Sequence, residues 1–326
     1  MTGEWEPDIL GEGFEQLTLP LGEDEEGPVV ATLVRSIPNP VRMLAGPLRE
    51  VDVLSVHGWS DYFFQPAQAR FWTGLGARFY ALDLRKYGRS LRAGQTPGYI
   101  TRLREYDADI AAALRAIPRR RGRRLVLLGH STGGLTLTLW ANRHRGRAAA
   151  LILNSPWLEL QLGAVGRQAL APLVQARARW DPRGVQASVD LGFYTRAQRE
   201  VGALPVDGYR EDWRPEFGFA TNPAWLAAVL DGHRRIATGV DTGCPVLVLL
   251  SARSAMQLTW TESMASSDSV LVVDEIARAS TRLGRDVTIA RIDGALHDVF
   301  LSRPEARDAA YRAIDRWLLR GALAGE

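Results

Sequence analysis

Short runs of almost purely aliphatic residues recur along this chain, with helical patterning between them. The clearest is LVLL, Leu125 to Leu128, which shows no alternation and is too short for a helix. It reads as a strand buried on both faces. Comparable runs are VDVLSVHG (51–58), RFYALDL (78–84), AAALILNS (148–155), CPVLVLLSA (244–252) and DVTIARIDG (286–294). Helices are expected at 65–76, 99–117, 132–144 and, strongly amphipathic, 305–323. Ahead of them, EQLTLPL (15–21) and VVATLVRSI (29–37) alternate as paired strands do, around the acidic turn GEDEEG. Strands alternating with helices require a mostly parallel central sheet flanked by helices, an α/β fold.

Residues 157–240 break this rhythm. They are rich in aromatics, among them Trp157, Trp180, Trp213 and Trp225, and hold no clear buried strand. A stretch this long is not bare loop. An inserted helical cap is expected there, dividing the core into residues 1–156 and 241–326. The cap's aromatics either line an apolar pocket or pack the cap's own interior, and Trp213 and Trp225 are the first to test.

With 326 residues, 46% of them hydrophobic, the chain can bury one large core. Its single cysteine, Cys244, excludes an internal disulfide. The acidic start, MTGEWEPDIL, lacks the basic and apolar order of a signal peptide, and no apolar run reaches membrane-spanning length. A cytoplasmic location is therefore expected. Net charge is only +3, and Lys86 is the sole lysine. The densest basic cluster, RRRGRR at 119–124, has no interleaved aromatic to stack on bases, so it reads as a solvated loop and nucleic acid is not an expected partner.

The LVLL strand runs straight into GHSTGG, Gly129 to Gly134, and then a helix. Gly-x-Ser-x-Gly between strand and helix is the pattern of a nucleophile elbow, a turn so tight that only glycine fits beside the serine. Ser131 would stand above the sheet edge, where open α/β sheets bind ligands. His57, Gly58 and Trp59 end an earlier strand, while Asp268 and His297 lie beyond the last two strands. Serine, acid and histidine then follow in the chain order such a topology needs. His297 would accept the Ser131 proton and return it to the leaving group. Either Asp268 or Asp274 could hold the imidazole, and Asp274, just ahead of EIARAS, also suits a helix N-cap. Oxyanion donors are expected from the backbone N–H groups of Thr132 and Trp59. His57, His130, His144 and His233 lack metal-ligand spacing, and no metal or cofactor is expected. His57 and His130 are expected to orient loops.

Together these residues resemble the α/β-hydrolase superfamily, and within it the monoglyceride-lipase and lysophospholipase group, also described as serine aminopeptidase-like. The resemblance rests on VHGWSDYF, DLRKYGRS, LLGHSTGG, the Asp268 segment and GALHDVF, and spans nearly the whole chain outside the cap. It implies an α/β-hydrolase fold with Ser131 as nucleophile, His297 as base, Asp268 as acid, and Trp59 and Thr132 as oxyanion hole. It departs in one respect, since the family's acid usually lies closer to its strand. A serine at the elbow argues against haloalkane dehalogenase and epoxide hydrolase relatives, which use aspartate there.

The expected activity is hydrolysis of a small-molecule carboxylic ester (a lipid, lysophospholipid or other apolar acyl or aryl ester) through an acyl-enzyme. Acyl transfer, amide cleavage and C–C cleavage would use the same triad. A non-catalytic binding relative would not need serine, histidine and acid together.

Overall fold

The computed structural model describes residues 4–118, 122–185 and 191–323. Arg119 to Arg121 of the basic cluster lie outside the described residues. The remainder of that cluster is tied down, because Arg123 Nε donates to Asp52 Oδ1 at 2.9 Å and Arg124 Nη1 to the Leu323 carbonyl at 3.1 Å.

Among the described residues one sheet carries nine strands: β1 (Glu6–Pro7), β2 (Glu15–Asp24), β3 (Gly27–Ser36), β4 (Val51–Val56), β5 (Arg78–Asp83), β6 (Arg124–His130), β7 (Ala150–Asn154), β8 (Val246–Ser251) and β9 (Val287–Ile292). Their spatial order is β1-β2-β3-β5-β4-β6-β7-β8-β9. The first three join antiparallel, and from β5 to β9 all pairings are parallel. The chain steps from β4 outward to β5, then returns to lay β6 on the other side of β4. Strand order reverses between β4 and β6, and a crevice opens beyond their carboxyl ends at such a point.

The helices are α1 (Pro40–Ala45), α2 (Pro66–Gly74), α3 (Tyr106–Ala116), α4 (Thr132–Arg143), α5 (Gly163–Trp180), α6 (Phe193–Glu200), α7 (Pro223–Ala237), α8 (Val273–Ser280) and α9 (Pro304–Trp317). One apolar layer joins β-sheet residues such as Leu54 and Leu127 to α3, α4 and α7; the opposite layer joins Val53 and Val126 to α2 and α9. Both sheet faces are thus covered, which explains why the central strands read as unbroken aliphatic runs. Between β7 and β8 the described residues form α5, α6, α7 and turns, and no strand. No described helix is long and apolar enough to cross a membrane.

Two helix boundaries and one further helix differ from the sequence expectation. The helix expected at 99–117 begins at Tyr106, because Glu105 Oε1 accepts the N–H groups of Thr101 (2.8 Å) and Arg102 (3.0 Å) and turns the chain first. The last helix ends at Trp317 and continues as a wider turn over Leu318–Ala322. Helix α1 had no counterpart in the hydrophobic pattern, since it buries no residue. Its signature is local: Asn39 caps it by accepting the Arg42 N–H at 2.9 Å, and Pro40 follows.

Candidate active site

The first residue after β6 is Ser131, with φ 49° and ψ −115°. A non-glycine residue in this region is strained, and such strain persists only when the surroundings enforce it. Here the enforcement is close packing of glycines. A Cβ on Gly129 would lie 2.7 Å from Gly134 Cα, and one on Gly133 would lie 2.3 Å from the His57 carbonyl oxygen. β6 can therefore meet α4 at this angle only with hydrogen at Gly129, and α4 can lie against the end of β4 only with hydrogen at Gly133. The Ser131 N–H donates to the Asn154 carbonyl at 3.0 Å, and its own carbonyl accepts the Trp157 N–H at 3.0 Å. Thr132 opens α4, so its N–H belongs to the unpaired donors of a helix start.

The end of β4 lies against the same residue. A Cβ on Gly58 would approach Ser131 Cβ to 3.1 Å and His130 Cδ2 to 3.2 Å. The turn that carries Trp59 thus passes directly over the elbow. His57 Nε2 accepts the Leu84 N–H at 3.0 Å, so its Nδ1 carries the proton and donates to the Gly58 carbonyl at 2.7 Å. Burial depresses the His57 pKa and keeps the ring neutral in this loop-orienting role.

Asp268 and His297 come together from separate loops. His297 Nδ1 donates to Asp268 Oδ2 at 2.9 Å, with both side chains almost wholly buried. The other oxygen, Oδ1, accepts the N–H groups of Val270 and Leu271, each at 2.8 Å. Nδ1 thus carries a proton, and neutral imidazole then has Nε2 as its acceptor. The long loop before Asp268 explains the departure in spacing. Asp268 N–H donates to the Arg253 carbonyl at 2.9 Å, its carbonyl accepts the Ala255 N–H at 2.8 Å, and it forms a parallel bridge with Ser254. The chain leaves at residue 255 and returns, placing Asp268 beside the third residue after β8. In space the carboxylate stands at the strand end although the sequence distance is long.

Asp274 stands elsewhere. It lies inside the first turn of α8, its side chain is 71% exposed, and it accepts from Arg291 Nη2 at 2.6 Å. The N-cap expected of it falls instead at Val272, which has no side-chain acceptor.

The sequence reading passed over a buried polar frame behind the site. Asp298 Oδ1 accepts Asn154 Nδ2 at 2.7 Å and the Phe300 N–H at 2.9 Å, while its Oδ2 accepts Gln65 Nε2 at 2.7 Å. Asn154 Oδ1 accepts the Val299 N–H at 3.1 Å, and its carbonyl accepts His130 Nδ1 at 3.1 Å. Asn154 therefore ties the elbow to the loop that carries His297. An amide ending an aliphatic strand, and an acid next to the histidine, were the available signals. Burial lowers the His130 pKa against the pull of Asp298. Its Nε2 faces the Tyr194 hydroxyl at 3.3 Å, and its ring centroid lies 4.9 Å from that of His297. Asp61 faces Arg214 Nε at 3.2 Å, and burial raises the Asp61 pKa despite that partner.

The aromatics of the inserted segment divide by environment. Trp225 is fully buried, with its ring centroid 3.8 Å from that of Trp59. Trp213 is half-buried and lies edge-on to Tyr62 at 5.2 Å. Trp157 is half-buried, 6.0 Å from Trp225, and directly bonded to Ser131 through its backbone.

Known proteins resemble this architecture. The family model described as serine aminopeptidase, S33, matches residues 50–303. No curated protein matches the sequence. Among solved structures, a monoacylglycerol lipase of Paleococcus ferrophilus is 21% identical, with 85% of this chain and 96% of that one covered and a TM-score of 0.61. A soluble variant of the Saccharomyces cerevisiae monoglyceride lipase is 13% identical, with 93% and 96% covered and a TM-score of 0.62. A thermostable carboxyl esterase of Bacillus coagulans is 13% identical, with 95% and 99% covered and a TM-score of 0.67. At these identities the likeness to solved structures is one of fold.

Proposed function

This chain belongs to the serine aminopeptidase S33 family of α/β hydrolases, and from that premise we propose that it is a serine hydrolase cleaving a carboxylic ester through an acyl-enzyme. The observation that carries the reading is the Asp268–His297 hydrogen bond of 2.9 Å, with the His297 ring 4.9 Å from that of His130, the residue before a serine held at φ 49° on a strand-to-helix turn. In this reading Ser131 Oγ attacks the ester carbonyl while His297 Nε2 takes its proton. Asp268 fixes the Nδ1–H tautomer and stabilises the imidazolium. The tetrahedral oxyanion is met by the N–H groups of Trp59 and Thr132. His297 returns the proton to the departing alcohol, which leaves Ser131 acylated. A water molecule, deprotonated by His297, then releases the acid and restores the serine.

Residues 157–240 act as a cap in this account. Trp157, half-buried, bonded to Ser131 through its backbone and 6.0 Å from the buried Trp225, supports an apolar acyl or aryl group on the substrate. The monoglyceride lipases and esterases among its structural neighbours support the same class.

The test is pre-steady-state turnover of a chromogenic carboxylic ester, followed by a series of acyl lengths. The expected result is a burst of about one product per enzyme chain, as acyl-enzyme accumulation gives. A protein that turns over no ester of the series would contradict the reading.

A further inference from the structure

Asp268 holds the His297 ring at one atom, through the 2.9 Å bond to Nδ1. A single hydrogen bond is a pivot as well as a tether. A swing of about 20° lies within its angular tolerance and carries Nε2, across the ring from the pivot, by about 1 Å or more. A misplacement of about 1 Å can cost about 10² in rate. Something besides Asp268 must therefore set the angle of the ring.

Two rings stand against it. His130, the last residue of β6, has its centroid 4.9 Å from that of His297, at an interplanar angle of 56°. Tyr194 of α6 lies edge-on to His297 at 5.3 Å and 78°. These two neighbours are tied to each other. His130 Nδ1–H donates to the Asn154 carbonyl at 3.1 Å, which leaves Nε2 as the acceptor for the Tyr194 hydroxyl at 3.3 Å. His130 thus rests on β7, and Tyr194 rests on His130. Arg214 also holds the Tyr194 ring, with its Cζ 5.1 Å from the ring centroid. Arg214 is buried, its Nη2 donates to Gln198 Oε1 of α6 at 2.8 Å, and its Nε faces Asp61 of the core at 3.2 Å. The proton path from Ser131 to His297 uses neither Tyr194 nor Arg214, so their convergence on the base has no part in it so far.

We propose that Tyr194 is a positioning residue for the base: its ring, anchored through its hydroxyl to His130, holds the His297 imidazole at the angle that turns Nε2 toward Ser131. The assignment rests on the reading of His297 as the base and adds to it. Tyr194 belongs to the inserted segment, not to the strand ends, so the base is fully aligned only with α6 seated on the core. The bonds from Arg214 to α6 and to Asp61 are what seat it. Proton transfer through His297 is common to every ester, so the contribution of Tyr194 is independent of the acyl group.

The test compares the unmodified chain with Tyr194→Phe, which loses only the hydroxyl, and Tyr194→Leu, which loses the ring, each with its fold checked by thermal melting. Two things are measured: the rate of fluorophosphonate addition, and kcat and KM for the acetate and octanoate esters of 4-nitrophenol. Labelling rate and kcat should fall by about tenfold to a hundredfold in Tyr194→Leu and by a few-fold in Tyr194→Phe. The loss should be equal for the two esters, with KM little changed. A full labelling rate in either folded variant would overturn the proposal. A loss confined to KM or to the octanoate ester would overturn it too, since that marks Tyr194 as a substrate contact. Where Tyr194→Leu does not fold, the near-isosteric Tyr194→Phe decides by the same criterion. An unmodified chain that takes no label and cleaves no ester overturns the hydrolase reading and this assignment with it. An active unmodified chain with equally active variants overturns this assignment alone.

Discussion

The carboxyl ends of the central strands and the inserted segment that follows β7 are built on opposite terms. Around Ser131 and His297 a frame of hydrogen bonds ties the strand ends together: Asn154, Asp298, Gln65 Nε2 and His57 each hold a named backbone or side-chain partner. Helix α5 of the inserted segment buries only Arg167, paired to Glu159 at 2.8 Å, and leaves Leu162, Val165, Leu173 and Trp180 in solvent. The segment meets the core through the apolar face of α7, where Trp225, Val229 and Ile236 join the layer of Leu54 and Leu127, and through polar links such as Phe219 N–H to Ser60 Oγ at 2.9 Å and Tyr62 hydroxyl to the Gly208 carbonyl at 2.9 Å. Proton transfer needs groups fixed to fractions of an ångström, and paired buried dipoles on parallel strands supply that rigidity. Recognition of an apolar group needs shape and area, which an inserted helical segment can vary without disturbing the strand ends. Changes at the strand ends should therefore act on kcat, and changes in the insertion, Tyr194 apart, on substrate choice or on stability.

The largest expected effect separates two acids. Asp268→Asn keeps the shape but leaves His297 without its carboxylate, and in the serine-protease precedent such a change lowers kcat by about 10⁴. Asp274→Asn loses an exposed pairing with Arg291, worth about 0–1 kcal/mol, and should remain active. Steady-state kinetics on one ester, with thermal melts of both variants, decides. An active Asp268→Asn variant would remove Asp268 from the chemistry and break the contrast at its strongest point.

That contrast between acids also marks how far the sequence could be read. The parallel sheet was legible because strands buried on both faces must be aliphatic throughout. Ser131 and His297 were legible because each sits at a strand end in a recognisable turn. Asp268 was harder, since the loop over 255–267 hides in the sequence that Asp268 returns to pair with Ser254. The frame of Asn154, Asp298 and Gln65 was legible only as two hints, an amide ending β7 and an acid next to His297. Its bonds join residues as far apart as 65 and 298, and no local pattern announces a pairing of that range. For Trp225 the sequence left pocket lining and interior packing open, and its full burial against Trp59 favours packing.

The next effect is on selectivity. Trp157→Ala should alter the ratio of kcat/KM between long and short acyl esters by about tenfold, the scale of 1–3 kcal/mol for a lost apolar contact. Trp225→Ala should instead lower stability by about 3–5 kcal/mol, as deletion of a buried aromatic does. A Trp157→Ala variant with unchanged selectivity would assign that ring to packing and narrow the region that reads the substrate.

The smallest effect is on pH-dependent stability. His233 of α7 is buried, with Nε2–H donating to the Trp157 carbonyl at 2.9 Å and no partner at Nδ1 among the described residues. Burial brings its pKa down to about 4. The unfolded chain takes up this proton near the ordinary value of about 6.5. Between those values the unfolded state binds more protons, so stability falls as pH drops from 6.5 to 4, by at most about 3 kcal/mol. Above pH 6.5 the group exerts no such penalty. In His233→Gln the melting temperature should fall less over this window. Equal slopes would assign the acid sensitivity to other groups, the buried His57 and His130 among them.

The central claim is that Ser131 is the nucleophile, and covalent labelling tests it most directly. A fluorophosphonate probe should add once per chain, and peptide mass spectrometry should place the adduct on the segment holding Gly129 to Gly134. Ser131→Ala should keep the melting behaviour, take up no label, and lose at least about three orders of magnitude in ester turnover. Stoichiometric labelling of the folded Ser131→Ala protein, or an adduct mapped to another residue in the unmodified chain, would contradict the account.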